Sequence, residues 1–381
     1  MTLYEEPTPT KPTPDHTSMV SSLPVSGELA GCRKQQVHGL MRHRWRNIWL
    51  WLALFGFGAV ALVACATQPP LVTPREVPQI MKDVSALNNK ANASLSLTAQ
   101  AKDESGSALY LDDFSFRYLR AFGYKNAGSS FSLVATASSV PEQEHYPLEI
   151  ATMDKTVDAK SASKKQSGDT FCNTVEVLKK TSSSSKWKVV EEPITNMKGF
   201  PRFRHGTNGY GVFATSKGLS VSLAKLPGVV SNALESAFNQ GSAVWSHASF
   251  LIPSSCISAG VKYNTSLPAS HISQTLEVRY LPQYGEQAFA LDHGALVFLT
   301  VQMLKVDKVI TNGYYITFFN NFHDRAGLLA FYHIPPLSHG YSSTTDIVEL
   351  AIWDKPVGSK AHFEVIGAYG YMTAKQATPI S

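Results

Sequence analysis

Two periodicities alternate along this chain and predict helices followed by strands. Apolar residues recur at helical spacing over Pro78–Ala93 and again over Leu111–Phe122. The period then becomes two, which is typical of half-buried strands. The first half is therefore predicted to carry strands over Phe131–Ala137, His145–Met153, Thr170–Lys179 and Lys186–Glu191.

The same order recurs in the second half of the chain. A helix is predicted over Leu226–Asn239, where one side of the helix is apolar. Alternating stretches separated by turn residues then predict a run of antiparallel strands. These strands cover Thr275–Leu281, Glu286–Leu291, Ala295–Val306, Tyr314–Phe322, Ala330–Ile334, Ile347–Trp353 and Ala361–Ala368.

A helix followed by antiparallel strands, twice over, predicts an α+β fold of two tandem domains. In each domain a helix packs on a curved antiparallel sheet. A stretch that contains proline and glycine, Pro193–Gly211, separates the two halves. The predicted organisation is an extension at 1–40, an anchor at 41–65, a tether at 66–77, a first domain at 78–195, an inter-domain region at 196–225 and a second domain at 226–381.

Residues 41–65 have the parts of a bacterial lipoprotein signal. Arginines precede an apolar core from Ile48 to Ala61, and the segment ends in Leu62-Val63-Ala64-Cys65. This ending matches a lipobox, so Cys65 is the predicted lipid-attachment site, and the chain after it is expected on the extracytoplasmic face of the cell membrane. The alternative is a single membrane-spanning helix, because the apolar run is nearly as long as the ~20 residues that such a helix needs.

Residues 1–40 are rich in Pro, Thr and Ser and are predicted to be disordered. An extension of this length is unusual ahead of a lipoprotein signal. Met41 stands where a start codon would give a signal of ordinary length. We therefore expect translation to begin at Met41, and a real cytoplasmic tail is the alternative.

Composition limits the classes of partner that the protein can bind, and cysteine content limits the disulfides that it can form. Hydrophobic residues make up 44% of the chain, and 34 Lys and Arg stand against 29 Asp and Glu, so binding to nucleic acid is not expected. Beyond the predicted anchor, Cys172 and Cys256 remain. They either form one disulfide between the halves or stay free, buried thiols, and the sequence leaves both possibilities open.

Familiar catalytic and metal-binding motifs do not occur in the sequence. It has no His-Glu-x-x-His, no paired Cys-x-x-Cys, no phosphate-binding Gly-rich loop and no Gly-x-Ser-x-Gly. No catalytic residue, metal site or cofactor is therefore predicted. Inward positions on the strands of the second half indicate a weak candidate pocket for an apolar ligand, lined by Phe289, Phe298, Tyr314 and Phe318.

Several strand and turn segments carry a resemblance to a known family. These are Trp187–Val190 after a polar turn, Ala290–Phe298, and the closing Pro356–Ser359 and Val365–Gly367. They resemble a family of uncharacterised actinobacterial lipoproteins. Each half of the chain also resembles the nuclear-transport-factor-2-like cone, in which helices close one mouth of a bent sheet. The resemblance implies a cone-like fold for each half and brings no catalytic residues with it.

Together these patterns predict a non-enzymatic binding module of the cell envelope, held by a lipid anchor or a single helix. Its expected partner is another envelope protein or an apolar small molecule. The alternative is a cell-wall-directed hydrolase or transferase whose site is assembled from residues far apart in sequence.

Overall fold

Helices open both halves of the chain, as their apolar stripes predict. The computed structural model describes residues 69–128, 130–158, 173–195, 199–239, 271–312, 316–317 and 325–379. The α-helices in these residues are α1 Val77–Asn92, α2 Leu97–Asp103, α3 Gly106–Ala121, α4 Leu226–Asn239 and α5 Arg325–Phe331. None of the helices in this part of the chain is long and apolar enough to cross a membrane.

The strands are antiparallel to their sheet neighbours and belong to one sheet. In the described residues they are β1 Phe131–Ser139, β2 Leu148–Asp158, β3 Asn173–Lys180, β4 Lys188–Glu191, β5 Ile194–Thr195, β6 Ile272–Tyr280, β7 Glu286–Leu291, β8 Gly294–Val309, β9 Ile316–Thr317, β10 Leu337–Asp354 and β11 Phe363–Pro379. The order across the sheet is β1-β2-β3-β5-β11-β10-β8-β6, while β4 pairs with β3, β7 with β8, and β9 with β10.

The short strand β5 joins the two halves of the sheet. Its Ile194 pairs with Thr174 of β3 on one side and with Ala368 of β11 on the other. Side chains of both halves then meet in a common core, where Val175 and Val177 of β3 pack in one cluster with Phe298 of β8. The two halves therefore share a sheet and a core.

The predicted inter-domain region is also part of this fold. The backbone of residues 202–214 pairs with the free edge of β7, with Arg204 N donating to Ala290 O at 2.9 Å and Ala290 N donating to Val212 O at 2.8 Å. Gly211 N donates to Val140 O, just beyond β1, at 2.8 Å. The α+β class is thus confirmed, whereas the division into two tandem domains is not: the chain after Ala66 forms one compact unit.

Several elements lie where the apolar pattern placed them, and others do not. Helix α4 and strand β7 match the predicted bounds, but α3 begins at Gly106, five residues earlier than predicted, and the short helix α2 was not predicted. The strand predicted over Ala330–Ile334 is wrong, because residues 325–331 form α5. A short apolar run fits either a helix or a strand, and periodicity cannot separate the two.

Gly211 lies where only a residue without a side chain fits. A Cβ at this position would overlap Ser139 Oγ and would come within 2.8 Å of Val140 N. We expect Gly211→Ala to lower the free energy of unfolding by about 1–3 kcal/mol, because the overpacked strand end must shift. Urea denaturation checks this.

Gly228→Ala is the matched control. Gly228 lies in α4, and a Cβ built there has no heavy atom within 4 Å. Alanine should therefore be neutral or stabilising by up to about 1 kcal/mol, because it reduces the freedom of the unfolded chain. Equal effects of the two substitutions would contradict the packing argument at Gly211.

Candidate functional site

A cluster of buried carboxylates lies where α2, α3, β4 and β10 come together. The acidic side chains in it are almost inaccessible to solvent. Those with at most 2% of their surface exposed are Asp103, Glu104, Asp154, Glu176, Glu191 and Glu349. Asp112 is 9% exposed, and Glu192 is partly buried.

Local structure explains how Glu104 reaches this position. The side chain of Ser96 caps α2 by accepting a hydrogen bond from Ala99 N at 3.2 Å. The helix ends at Asp103, and Glu104 is extended and forms a parallel bridge with Val189 of β4. The chain must then turn at once into α3. Gly106 permits this with a φ of +67°.

The first polar network connects Glu104 to Asp112. Gln100 donates its side-chain amide to Asp112 Oδ2 at 2.8 Å and also to Glu104 Oε1. Asn88 of α1 donates to the same Glu104 oxygen at 3.3 Å. On the other side of Asp112, the hydroxyl of Tyr369 donates to Oδ1 at 3.4 Å. Helices of the first half and strand β11 of the second half therefore share one hydrogen-bonded group.

A second network connects β4 to the second half of the sheet. The backbone N–H of Glu192 donates to Glu349 Oε2 at 2.8 Å. The hydroxyl of Thr300 donates to Glu191 Oε1 at 3.2 Å. The other oxygen of each buried acid, Glu349 Oε1 and Glu191 Oε2, has no hydrogen-bond partner. Carboxylates are acceptors only when ionised, so these oxygens need either a proton or a cation.

Burial dominates the electrostatics of the cluster. It raises the pKa of Asp103 to about 8, that of Asp112 to about 6 and that of Glu349 to about 8. For four further acids the pKa is raised well above its ordinary value, first by burial and then by neighbouring carboxylates. These acids are Glu104, Glu176, Glu191 and Glu192.

Basic side chains do not neutralise this cluster. The ion pairs among the described residues lie elsewhere, for example between Lys179 and Glu149 at 2.7 Å. The ammonium of Lys188 donates to Ala101 O at 2.5 Å, and its field lowers the pKa of Asp103 less than burial raises it. Several acids of one sign are thus held together with no cationic partner within ion-pair distance in the described residues.

Glu104, Asp112 and Glu192 lie close enough together that they could hold a metal ion. One oxygen from each carboxylate can be chosen so that all three lie within 4.8 Å of one another. The donor set consists of oxygen atoms alone, which favours a hard cation.

Of the residues proposed from the sequence as site residues, the two that the structure describes do not belong to this cluster. Phe289 and Phe298 are fully buried in the common core, with their rings edge to face at 6.2 Å. Tyr314 and Phe318 lie outside the described residues, as do Leu62, Val63, Ala64, Cys65, Cys172 and Cys256. The apolar ligand pocket, the lipid attachment and the disulfide therefore stay predictions.

Comparison with known proteins gives no relative from which a role could be transferred. No family model, no curated protein and no solved structure matches this chain. The resemblance to actinobacterial lipoproteins and to cone-like domains stays a prediction.

The sequence did contain a signal for the acidic cluster. Single acids interrupt runs of branched apolar residues, as in Val175-Glu176-Val177 and Val348-Glu349-Leu350. A strand that is buried on both faces reads as a nearly continuous apolar run. An acid inside such a run is buried, and a buried acid needs a hydrogen-bond donor or a cation as its partner.

Proposed function

We propose that this protein is a membrane-anchored lipoprotein on the extracytoplasmic face of the cell membrane, where it acts as a non-enzymatic binding module of the cell envelope. The observation that carries the proposal is the order of basic residues, apolar core and Leu62-Val63-Ala64-Cys65 in the sequence. Its partner would be another envelope component or a small ligand.

A short tether would join a lipidated Cys65 to the folded body. Leu71 N donates to Gln143 O at 3.0 Å, and Val72 is 2% exposed within the core of the first half. If lipid is attached to Cys65, the chain between Cys65 and Leu71 can reach at most about 20 Å. The body would then work close to the membrane surface.

Accessibility supports binding over turnover of a polymer. A glycan or peptide substrate must touch its catalytic acid, yet Glu104, Glu191 and Glu349 have no exposed surface. A buried group of carboxylates suits a ligand the size of a single ion.

One observation favours the second candidate, a cell-wall-directed hydrolase or transferase. The pKa of Asp112 is raised to about 6 by burial, and Asp112 is one of the more accessible acids of the cluster. A carboxyl group that is still partly protonated at about pH 6 can serve as a general acid. Slow turnover of cell-wall fragments that is lost in Asp112→Asn would favour this candidate.

The anchor is tested by Cys65→Ser, with the chain expressed in its own host and labelled with a fatty-acid analogue. We expect wild-type protein to carry the label and to stay with the membrane, and the variant to be unlabelled and unprocessed. Cys172→Ser is the control and should remain labelled. If Cys65→Ser keeps the mobility and membrane retention of the wild type, the chain has a membrane-spanning helix in place of a lipid anchor.

A native mass spectrum of protein gently extracted from its membrane tests the binding half of the proposal. A mass that begins at lipidated Cys65 with a discrete adduct or a stoichiometric partner is the expected result. A bare monomer would contradict it and would move attention to catalytic substrates.

A further inference from the structure

We propose that Glu104, Asp112 and Glu192, together with the side-chain amide of Gln100, form a binding site for a calcium ion. The site is formed by residues of the described body alone. The proposal therefore goes beyond the binding role suggested above and does not depend on the lipid anchor.

The spacing of the carboxylates is the first observation. Calcium binds oxygen ligands at about 2.3–2.6 Å, so two ligands of one ion lie at most about 5 Å apart. One oxygen each from Glu104, Asp112 and Glu192 satisfies this limit, because all three lie within 4.8 Å of one another. A single ion can therefore contact the three side chains without a rearrangement of the backbone.

Gln100 is the second and independent observation. Its side chain is fully buried, and its amide nitrogen lies between the carboxylates of Glu104 and Asp112, with a hydrogen bond of 2.8 Å to the latter. Its amide oxygen is buried and has no donor. A buried oxygen acceptor without a donor is costly to keep, and an amide oxygen is a common calcium ligand. The nitrogen of this amide faces the carboxylates, so a half-turn of the amide group brings the unused oxygen to an ion bound there.

The charge of the surroundings also favours a cation. Glu104 Oε2 is buried and lacks a hydrogen-bond partner, and so does Glu349 Oε1. The other oxygen of Glu349 accepts a hydrogen bond from Glu192 N. Ionising several of these buried acids without a cation is costly, because uncompensated charge would remain in a medium of low dielectric constant. A divalent cation would supply the positive charge that the described residues around the cluster lack.

The donor set selects the kind of cation. Zinc prefers nitrogen and sulfur ligands in tetrahedral sites. Magnesium usually keeps several waters and takes only one or two carboxylates from the protein. Three carboxylates and an amide oxygen from buried positions match calcium better than either ion.

The site also has a polar edge that gives an ion a way in. Asp112 retains 9% exposure, and Glu192 is partly exposed. Beyond Asp112, the hydroxyl oxygens of Tyr369 and Tyr371 lie 3.3 Å apart, and that of Tyr371 lies 3.2 Å from Ser115 Oγ. This row of hydroxyl groups leads from the buried acids to partly exposed side chains.

The test uses the full chain in mild detergent, freed of metal with a chelator and dialysed. Calcium is titrated by calorimetry, and terbium serves as a luminescent substitute because Tyr369 lies against Asp112 and can transfer excitation to it. We expect one calcium ion per chain with a Kd below about 1 mM. We also expect terbium emission that calcium displaces.

Glu104→Gln and Asp112→Asn are the site variants. Each keeps the shape of the side chain and removes one charged ligand, so each should weaken calcium binding about ten-fold or more. The matched control is Asp113→Asn, the next residue on α3, whose carboxylate pairs with Arg117 at 3.1 Å and points away from the cluster. Its affinity should stay within about two-fold of the wild type, because it removes no ligand of the site.

Circular dichroism shows whether the variants are folded, and each outcome then decides the question. Loss of binding in folded Glu104→Gln and Asp112→Asn, with binding kept in Asp113→Asn, supports the site. The proposal is overturned if the wild-type protein binds no calcium at about 10 mM. It is also overturned by equal binding in all variants, or by tighter binding of magnesium or zinc.

Discussion

The metal-free protein is expected to be more stable at pH 5 than at pH 8, with a difference of at least about 3 kcal/mol in the free energy of unfolding. Burial raises the pKa of Asp154 to about 7 and that of Asp103 to about 8. Above pH 4 the carboxyl groups of the unfolded chain have lost their protons, whereas the folded chain keeps its own up to the raised pKa. The folded state therefore binds more protons in this window.

The sign of the effect follows from this difference. Stability falls as pH rises wherever the folded state holds more protons than the unfolded state, by about 1.4 kcal/mol per pH unit for each group. The contribution is fully present below pH 4, falls as pH rises above 4, and is lost once pH has passed the raised pKa values of Asp112, Asp154 and Asp103, at about 6, about 7 and about 8. Urea denaturation from pH 4.5 to 8.5, about half a pH unit at a time and with a chelator present, measures it.

Asp154→Asn separates one group from the rest. Asp154 lies on β2, away from the proposed calcium ligands in sequence, and accepts a hydrogen bond from Thr152 Oγ1 at 2.5 Å that an amide oxygen can also accept. The stability of the variant should fall less steeply with pH than that of the wild type, by up to about 1.4 kcal/mol per pH unit. Asp83→Asn, on the exposed side of α1, should leave the slope unchanged. A wild-type stability that rises from pH 5 to pH 8 would contradict the neutral, buried state of these acids.

Phe298→Ala is expected to lower the free energy of unfolding by about 3–5 kcal/mol. Phe298 is fully buried and packs with side chains from both halves of the chain, including Val175 and Val177 of β3 and Ile366 of β11. Removing the ring leaves a cavity in a core that strands of a single sheet surround and that cannot collapse freely. Tyr124→Ala is the control, because Tyr124 is 60% exposed and should cost less than about 0.5 kcal/mol.

Differential scanning calorimetry of the same variants tests whether the halves unfold together. A shared sheet and core should give one transition whose van't Hoff and calorimetric enthalpies agree, and Phe298→Ala should shift that whole transition. Two transitions, of which the substitution moves only one, would show that the halves fold independently. That result would restore the two-domain organisation that the sequence pattern predicts.

Much of the local structure could be predicted because it depends on neighbours in sequence. The apolar stripe of Leu226–Asn239 and the alternation in Glu286–Leu291 give the bounds of α4 and β7. Short helices and strands were harder to predict. The helix α2 has too few residues to show a period, and the run around Leu328 suits a strand as well as a helix.

The pairing of the two halves into one sheet could not be predicted, since it depends on very few residues. Strand β5 consists of Ile194 and Thr195 alone, which is too short to carry any pattern. The stretch 199–214 contains one proline and several glycines and resembles a linker, yet its backbone groups complete the edge of β7. Hydrogen bonds between the backbone and a distant strand do not depend on which side chains are present, so the sequence does not reveal them.

The acidic cluster illustrates the same division. Glu176 and Glu349 could be noticed in their apolar runs, but the acids that they meet in the folded chain lie far away along the sequence. Asp112 and Tyr369 are bonded across 257 positions, and Glu192 and Glu349 across 157. Only the folded chain brings these groups within reach of one another.

The sequence by itself thus determined the α+β class, the bounds of α4 and β7 and a prediction of membrane anchoring, because each depends on residues close together along the chain. The tertiary structure decided that both halves share one sheet and that acids from helices and strands of both form one buried group. Such a group exists only through pairing and packing between distant segments, and its energetics come from the exclusion of water that folding alone produces.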